Sequence, residues 1–210
     1  GPTGANPLNI VNNGICVNDK GERFTDEGQT YVQMSRDVAA MTKANWAYMI
    51  VDQAGHDVPI LANDWESYKR TKAPVYVGQT LDEAAEKAGL PVDAVKATVK
   101  AYNEAIAAGK GKTLTPVNTL PKARTVEKAP FYIVPFQGGM TATFGGPLIN
   151  VKGQVLDTEN HVIDGLFAIG NAAGGLFYDN YIGGAQLTSA AVYGIVVADF
   201  VKAAKTPAGK

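Results

Sequence analysis

One cysteine, two histidines and no surplus of charge of either sign set the first limits on this 210-residue chain. Cys16 can neither pair within the chain nor build a thiolate cluster, so it reads as a small buried hydrophobe. His56 and His161 stand in no HxH or HExxH spacing, which argues against a zinc site. Nineteen basic side chains against twenty acidic ones leave a formal charge of −1, without the basic excess of a nucleic-acid surface. The longest apolar run, residues 190–201, is interrupted by Tyr193, Gly194 and Asp199 and is too short for a bilayer core of about 30 Å, so no membrane span is expected. The first residues are uncharged and turn-like rather than signal-like. With no initiator methionine either, the compartment is left unknown, the cytoplasm favoured and the periplasm open. In excess are glycine and proline, 23 and 11 residues, which implies tight turns or backbone that something approaches closely.

Residues 1–15 read as a lead-in loop, and residues 15–24, around an Asn-Asp-Lys-Gly turn, as a β-hairpin. Residues 31–46 fit a helix and residues 46–51, aromatic and β-branched, a buried strand. Thr80 to Glu83 matches a capping box with Gly89 beyond its helix. Pro91 opens a second helix whose apolar face is Val95, Val99, Tyr102 and Ile106, ended by Gly109. After a long connection, residues 131–136 form a strand, 148–151 and 154–156 a hairpin, and 165–170 a short buried strand ending in glycine. Gly183 and Gly184 open a long apolar helix to about residue 204. The predicted division is an α+β domain over 1–134 and an α/β domain over 135–210.

Two elements could carry chemistry. A strand ending at Gly170 lets a ligand lie against bare backbone, with Asn171 placed to bond a ribityl or ribose hydroxyl; a plain strand turn explains the same residues. The helix start at Gly184, Ala185, Gln186 and Leu187 offers unpaired N–H groups and a positive dipole end to an anionic ligand; an ordinary glycine-rich terminus is the alternative.

These elements together resemble the C-terminal flavin-binding segment of the fumarate reductase/3-ketosteroid dehydrogenase superfamily. The resemblance rests on Gly-Leu-Phe-Ala-Ile-Gly-Asn-Ala-Ala-Gly-Gly at 165–175 and Tyr-Ile-Gly-Gly-Ala-Gln-Leu at 181–187. Upstream, Gly-Glu-Arg-Phe-Thr-Asp-Glu at 21–27 and the two-helix stretch 81–103 are similar to that family's capping domain. The likeness implies a capping domain followed by the C-terminal part of a Rossmann-like FAD-binding domain, with FAD as cofactor. It also implies that the family's other half, with its Gly-x-Gly-x-x-Gly phosphate loop, lies outside these residues, since that spacing is missing here.

Departures from the family's pattern bear on substrate. Thr141 and Ala142 stand where fumarate reductases carry histidine, Tyr181 where they carry a carboxylate-binding arginine, and His56 where they carry the proton-donating arginine. A phenol is a poor substitute for a bidentate guanidinium. The ketosteroid dehydrogenases match better: Tyr31 and Tyr181 fall at their two tyrosines, and Asn171 follows the corresponding strand. The resemblance thus implies an FAD-dependent oxidoreductase acting on a C–C bond conjugated to a carbonyl. Tyr31 or His56 would exchange the α-proton, and Tyr181 with the Gly184 backbone would hold the carbonyl oxygen. The flavin would lie against Ala142, Gly170, Asn171 and residues 184–187. Alternatives are a reductase of another unsaturated acid and a non-catalytic flavin-binding module. His56 also reads as a solvated loop residue, Tyr31 as a half-buried cap residue, Tyr181 and Tyr178 as packing aromatics, and His161 as surface.

Overall fold

The computed structural model describes residues 7–42, 45–139 and 142–205, in two compact units, Gly1–Gly139 and Met140–Lys210. The division falls five residues beyond the expected one because the last strand of the first sheet runs through Gln137.

The first unit is built on a four-stranded antiparallel sheet of β1 (Ile15–Val17), β2 (Trp46–Asp52), β3 (Tyr76–Gly78) and β4 (Phe131–Gln137), in the order β1-β2-β4-β3. Both faces are covered, so alternate residues of each strand enter different cores. Cys16, Met49, Val51, Val134 and Phe136 face α2 (Tyr31–Met41) and α4 (Ala62–Thr71), while Ile15, Val17, Ile50 and Ile133 face α5 (Leu81–Ala88) and α6 (Val92–Ala107). Pro135 is tolerated in β4 because β3 pairs only with Phe131, Tyr132 and Ile133, leaving that edge of β4 free where proline lacks a donor. Two further short helices, α1 (Pro7–Val11) and α3 (Gln53–His56), flank β1 and follow β2.

Several expectations are met: Thr80 caps α5 by accepting from Glu83 N at 3.1 Å, and Gly89 ends it. Others are corrected. Residues 15–24 are not a hairpin. The turn closes, with Asn18 N donating to Glu22 O at 2.9 Å, but the return strand amounts to one bridge, Val17 to Arg23, and β1 pairs with β2 instead. α1 and α4 lie where no helix was expected.

In the second unit, β5 (Gln154–Leu156) and β6 (Val162–Phe167) form an antiparallel pair, followed by α7 (Ala185–Lys205). The expected buried strand at 165–170 is thus β6 shifted upstream and exposed along nearly its whole length, while the expected hairpin at 148–156 forms as a short one: the Ile149–Val155 bridge is flanked by Asn150 N donating to Gln154 O at 3.0 Å and Leu156 N to Leu148 O at 2.9 Å. Among the described residues of this unit, only Val155, Ala168 and Ala173 form a buried apolar cluster. α7 packs one face on the end of β6 and the loop before β5: Phe167 meets Phe200 at 6.0 Å, and Lys152 Nζ lies 5.3 Å from the Phe200 ring centroid. Its other face leaves Leu187, Val192 and Ile195 exposed. Residues 185–204 have a mean hydropathy of 1.5, so length and composition alone suit them to a membrane span, contrary to the reading of the interrupted run.

Candidate functional site

In the first unit the strongest constellation surrounds His56. β2 ends at Asp52, whose carboxylate caps α3 by accepting from Gly55 N at 2.8 Å and, through its other oxygen, holds Glu127 N and Lys128 N at 3.0 and 2.9 Å. That fixes α3 and sets the imidazole against two aromatic rings, with centroids 4.6 Å from Trp65 and 4.3 Å from Tyr132 and planes within 22° and 17° of parallel. The His56 side chain is 27% exposed, a held ring rather than a solvated loop residue. Its Nδ1 lies 2.9 Å from Asp57 Oδ1, which also accepts from Gln53 Nε2 at 2.7 Å. These two bonds, the Gln53 one first, hold the Asp57 carboxyl below its ordinary range. Gln53 Oε1 accepts from Tyr132 OH at 2.7 Å, and Trp65 Nε1 donates to His56 O at 2.9 Å.

The segment 21–27 has a different purpose. Arg23 and Glu27 form a two-pronged pair, Nε to Oε1 at 2.8 Å and Nη2 to Oε2 at 2.6 Å, with Glu27 fully buried. Glu27 also accepts from Cys16 N and Asn118 Nδ2, while Arg23 donates to Pro116 O at 2.7 Å and lies over the Tyr102 ring. This is scaffold chemistry: it locks the loop onto β1 and onto residues 116–118. Cys16 is buried within it, and desolvation, with Glu27 adding, pushes its thiol well up. Tyr31 is the first residue of α2, after the Thr30 cap, and is 39% exposed.

In the second unit Thr143 draws several of the predicted residues together. Its hydroxyl donates to Asn171 O and its carbonyl accepts from Gln186 Nε2 at 2.9 Å. The adjoining Phe144 ring lies 6.1 Å from Phe177 and 6.1 Å from Tyr181, which are 6.0 Å from each other. Ala142 therefore adjoins this cluster, as do Ala185 and Leu187, and none of the three clustered rings carries a cation. Thr141 lies outside the described residues. Tyr178 is 97% exposed and stands apart from the ring cluster, and His161 is exposed as expected.

The glycines sort differently. Gly170, at φ +57°, faces α7, where a Cβ would come within 2.9 Å of Ala190 Cβ, so helix packing accounts for it. Gly183 and Gly184 have no heavy atom near the position of a Cβ, and Gly184 has φ +84°, so neighbouring protein atoms do not explain the pair. Two residues on, Gln186 Oε1 is buried without a partner. Bare backbone, the amides of a helix's first turn and an orphaned acceptor fit the ring edge of a flavin, which offers both donors and acceptors.

Missed by sequence reasoning were Gln53, Asp57, Trp65, Tyr132, Phe144 and Phe177. A one-dimensional signal exists only for Phe177 and Tyr181, four residues apart.

The profile of the FAD binding domain family matches residues 11–187. An NADH:acrylate oxidoreductase of Vibrio harveyi is 32% identical over 89% of the chain, which spans 18% of that protein's length. The open form of a flavocytochrome c3 fumarate reductase superposes with a TM-score of 0.73 at 28% identity, covering 91% of this chain and 33% of that one. A 3-ketosteroid Δ1-dehydrogenase from Sterolibacterium denitrificans shares the fold at TM-score 0.69 and 24% identity, covering 93% of this chain and 40% of that one.

Proposed function

We propose, from the premise that the chain belongs to the FAD binding domain family, that it is part of a longer FAD-dependent oxidoreductase acting on a carbon–carbon bond conjugated to a carbonyl. The first unit is the capping domain and the second a portion of the flavin domain. The observation that carries the reading is the start of α7, where Gly183, Gly184 and the orphaned Gln186 oxygen stand beside the Phe144, Phe177 and Tyr181 rings. When bound there, FAD supplies the two-electron exchange, as hydride at the carbon β to the carbonyl.

The chain's own residues supply the rest. Tyr181 donates a hydrogen bond to the carbonyl oxygen as it gains charge. His56 exchanges the proton at the α-carbon through Nε2. The stack against its imidazole favours it over Tyr31, a residue 39% exposed. The aromatic lining is uncharged and suits a neutral, planar, conjugated substrate. In turnover by the longer protein, enones are expected to exceed fumarate by well over tenfold. Fumarate within about tenfold of the best enone, a barrier difference of about 1.4 kcal/mol, overturns the assignment of substrate class.

The exposed face of α7, with Leu187, Val192 and Ile195, is covered by the remainder of the flavin domain, which also brings the phosphate loop. The 210-residue chain by itself is therefore expected to bind FAD weakly. Fluorescence titration checks this, and tight stoichiometric binding contradicts it.

A further inference from the structure

The geometry points to Gln53, Asp57, Trp65 and Tyr132 as a closed positioning array that fixes the tautomer and plane of His56, leaving Nε2 as its working atom. The inference rests on the reading of His56 as the proton carrier, and it names the groups that make that role workable. An ionised carboxylate only accepts, so the 2.9 Å contact with Asp57 Oδ1 requires the proton on Nδ1. When the ring is neutral, Nε2 is then the acceptor; when the ring is charged, Nε2 is the donor. Asp57 is itself aimed by Gln53 Nε2 at 2.7 Å, and Gln53 is aimed by Tyr132 OH at 2.7 Å. Tyr132 closes the circuit, because its ring is one of the two on which the imidazole stacks. Trp65 packs beside Tyr132, its ring centroid 6.0 Å from that one, and clamps the backbone through His56 O at 2.9 Å. Rotation about the imidazole's χ angles would break the Asp57 bond and both stacks together. Preorganisation of this kind keeps a proton carrier from spending its time in unproductive rotamers.

The chain's two histidines make the test direct. In a His161→Gln chain labelled with 15N-histidine, the single imidazole is read by long-range 15N–1H correlation at about pH 9, where an ordinary histidine is neutral. The expected result is an Nδ1–H tautomer whose carbon-bound ring protons lie upfield of those of exposed His161 in the parent chain, as stacking against neighbouring aromatic rings requires. Adding Asp57→Asn is expected to shift the ring toward the Nε2–H tautomer while leaving the thermal midpoint unchanged, since the Asp57 side chain is 60% exposed. Tyr132→Phe, which keeps the stack and releases Gln53, is expected to shift it partway. An Nε2–H tautomer in the parent, ring protons at the positions of exposed His161, or a tautomer indifferent to Asp57→Asn each overturns the array. If the tautomer responds as stated but Asp57→Asn leaves kcat of the longer enzyme unchanged, the array stands and the assignment of His56 as proton carrier fails.

Discussion

Replacing Glu27 with alanine is expected to lower the stability of the first unit by about 3–5 kcal/mol, as removing one partner of a buried ion pair does. The loss arises on the other side of the pair. Arg23, whose side chain is only 6% exposed, would keep its charge without a carboxylate, and Cys16 N and Asn118 Nδ2 would lose their acceptor. Against a typical total of about 5–15 kcal/mol, that leaves a domain near its threshold. Urea unfolding followed by far-ultraviolet circular dichroism reads the effect as a fall in the midpoint. A loss below about 1 kcal/mol, the worth of an exposed pair, would show that water reaches the pair in solution. Replacing Arg23 and Glu27 together with apolar residues of similar volume should cost less than Glu27→Ala, because no unpaired charge remains.

In the longer enzyme, His56→Gln is expected to reduce kcat by about 10²- to 10⁴-fold, the usual effect of removing a general acid–base group. Glutamine approximates the reach of the imidazole but cannot carry the proton. Tyr181→Phe should cost about 10²- to 10³-fold through the lost hydrogen bond to the carbonyl oxygen, and Tyr31→Phe little. The His56 and Tyr181 losses should fall short of multiplying in the double variant, since both act in one transition state. A Tyr31→Phe enzyme with the larger loss, beside a His56→Gln enzyme near normal rate, would transfer the proton to Tyr31.

Legibility in the sequence followed the range of the interactions. α5 and α6 were readable because their signals are local: a threonine cap, a glycine stop and apolar residues three and four apart. α4 was not, since Asn63, Asp64 and Glu66 dilute its apolar face, which is held by tertiary packing of Trp65 and Tyr68. The hairpin at 15–24 was misread because its turn forms in full, closed by Asn18 Oδ1 accepting from Lys20 N and Glu22 N. What the sequence did not display was that buried Glu27 takes the β1 amide of Cys16 with its side chain, where a return strand would offer a backbone carbonyl. In the second unit, Gly183, Gly184 and Gln186 were legible as a helix start, whereas Gly170 answers to Ala190, twenty residues on. Around His56 the pattern was silent, because the Val51–Tyr132 register places Tyr132 beside α3 across some eighty residues of chain.

The imidazole stack also makes this corner of the molecule visible to light. Trp65 lies 4.6 Å from the ring of His56, close enough for a charged imidazole to quench indole emission through electron transfer, while a neutral one leaves it bright. The second indole, Trp46, is 40% exposed at the start of β2, so it serves as a steady background that Trp46→Phe removes. A chain with one emitter then reports the protonation of one side chain without label, ligand or turnover. Arrival of a substrate at Nε2 would register in the same signal before any bond changes.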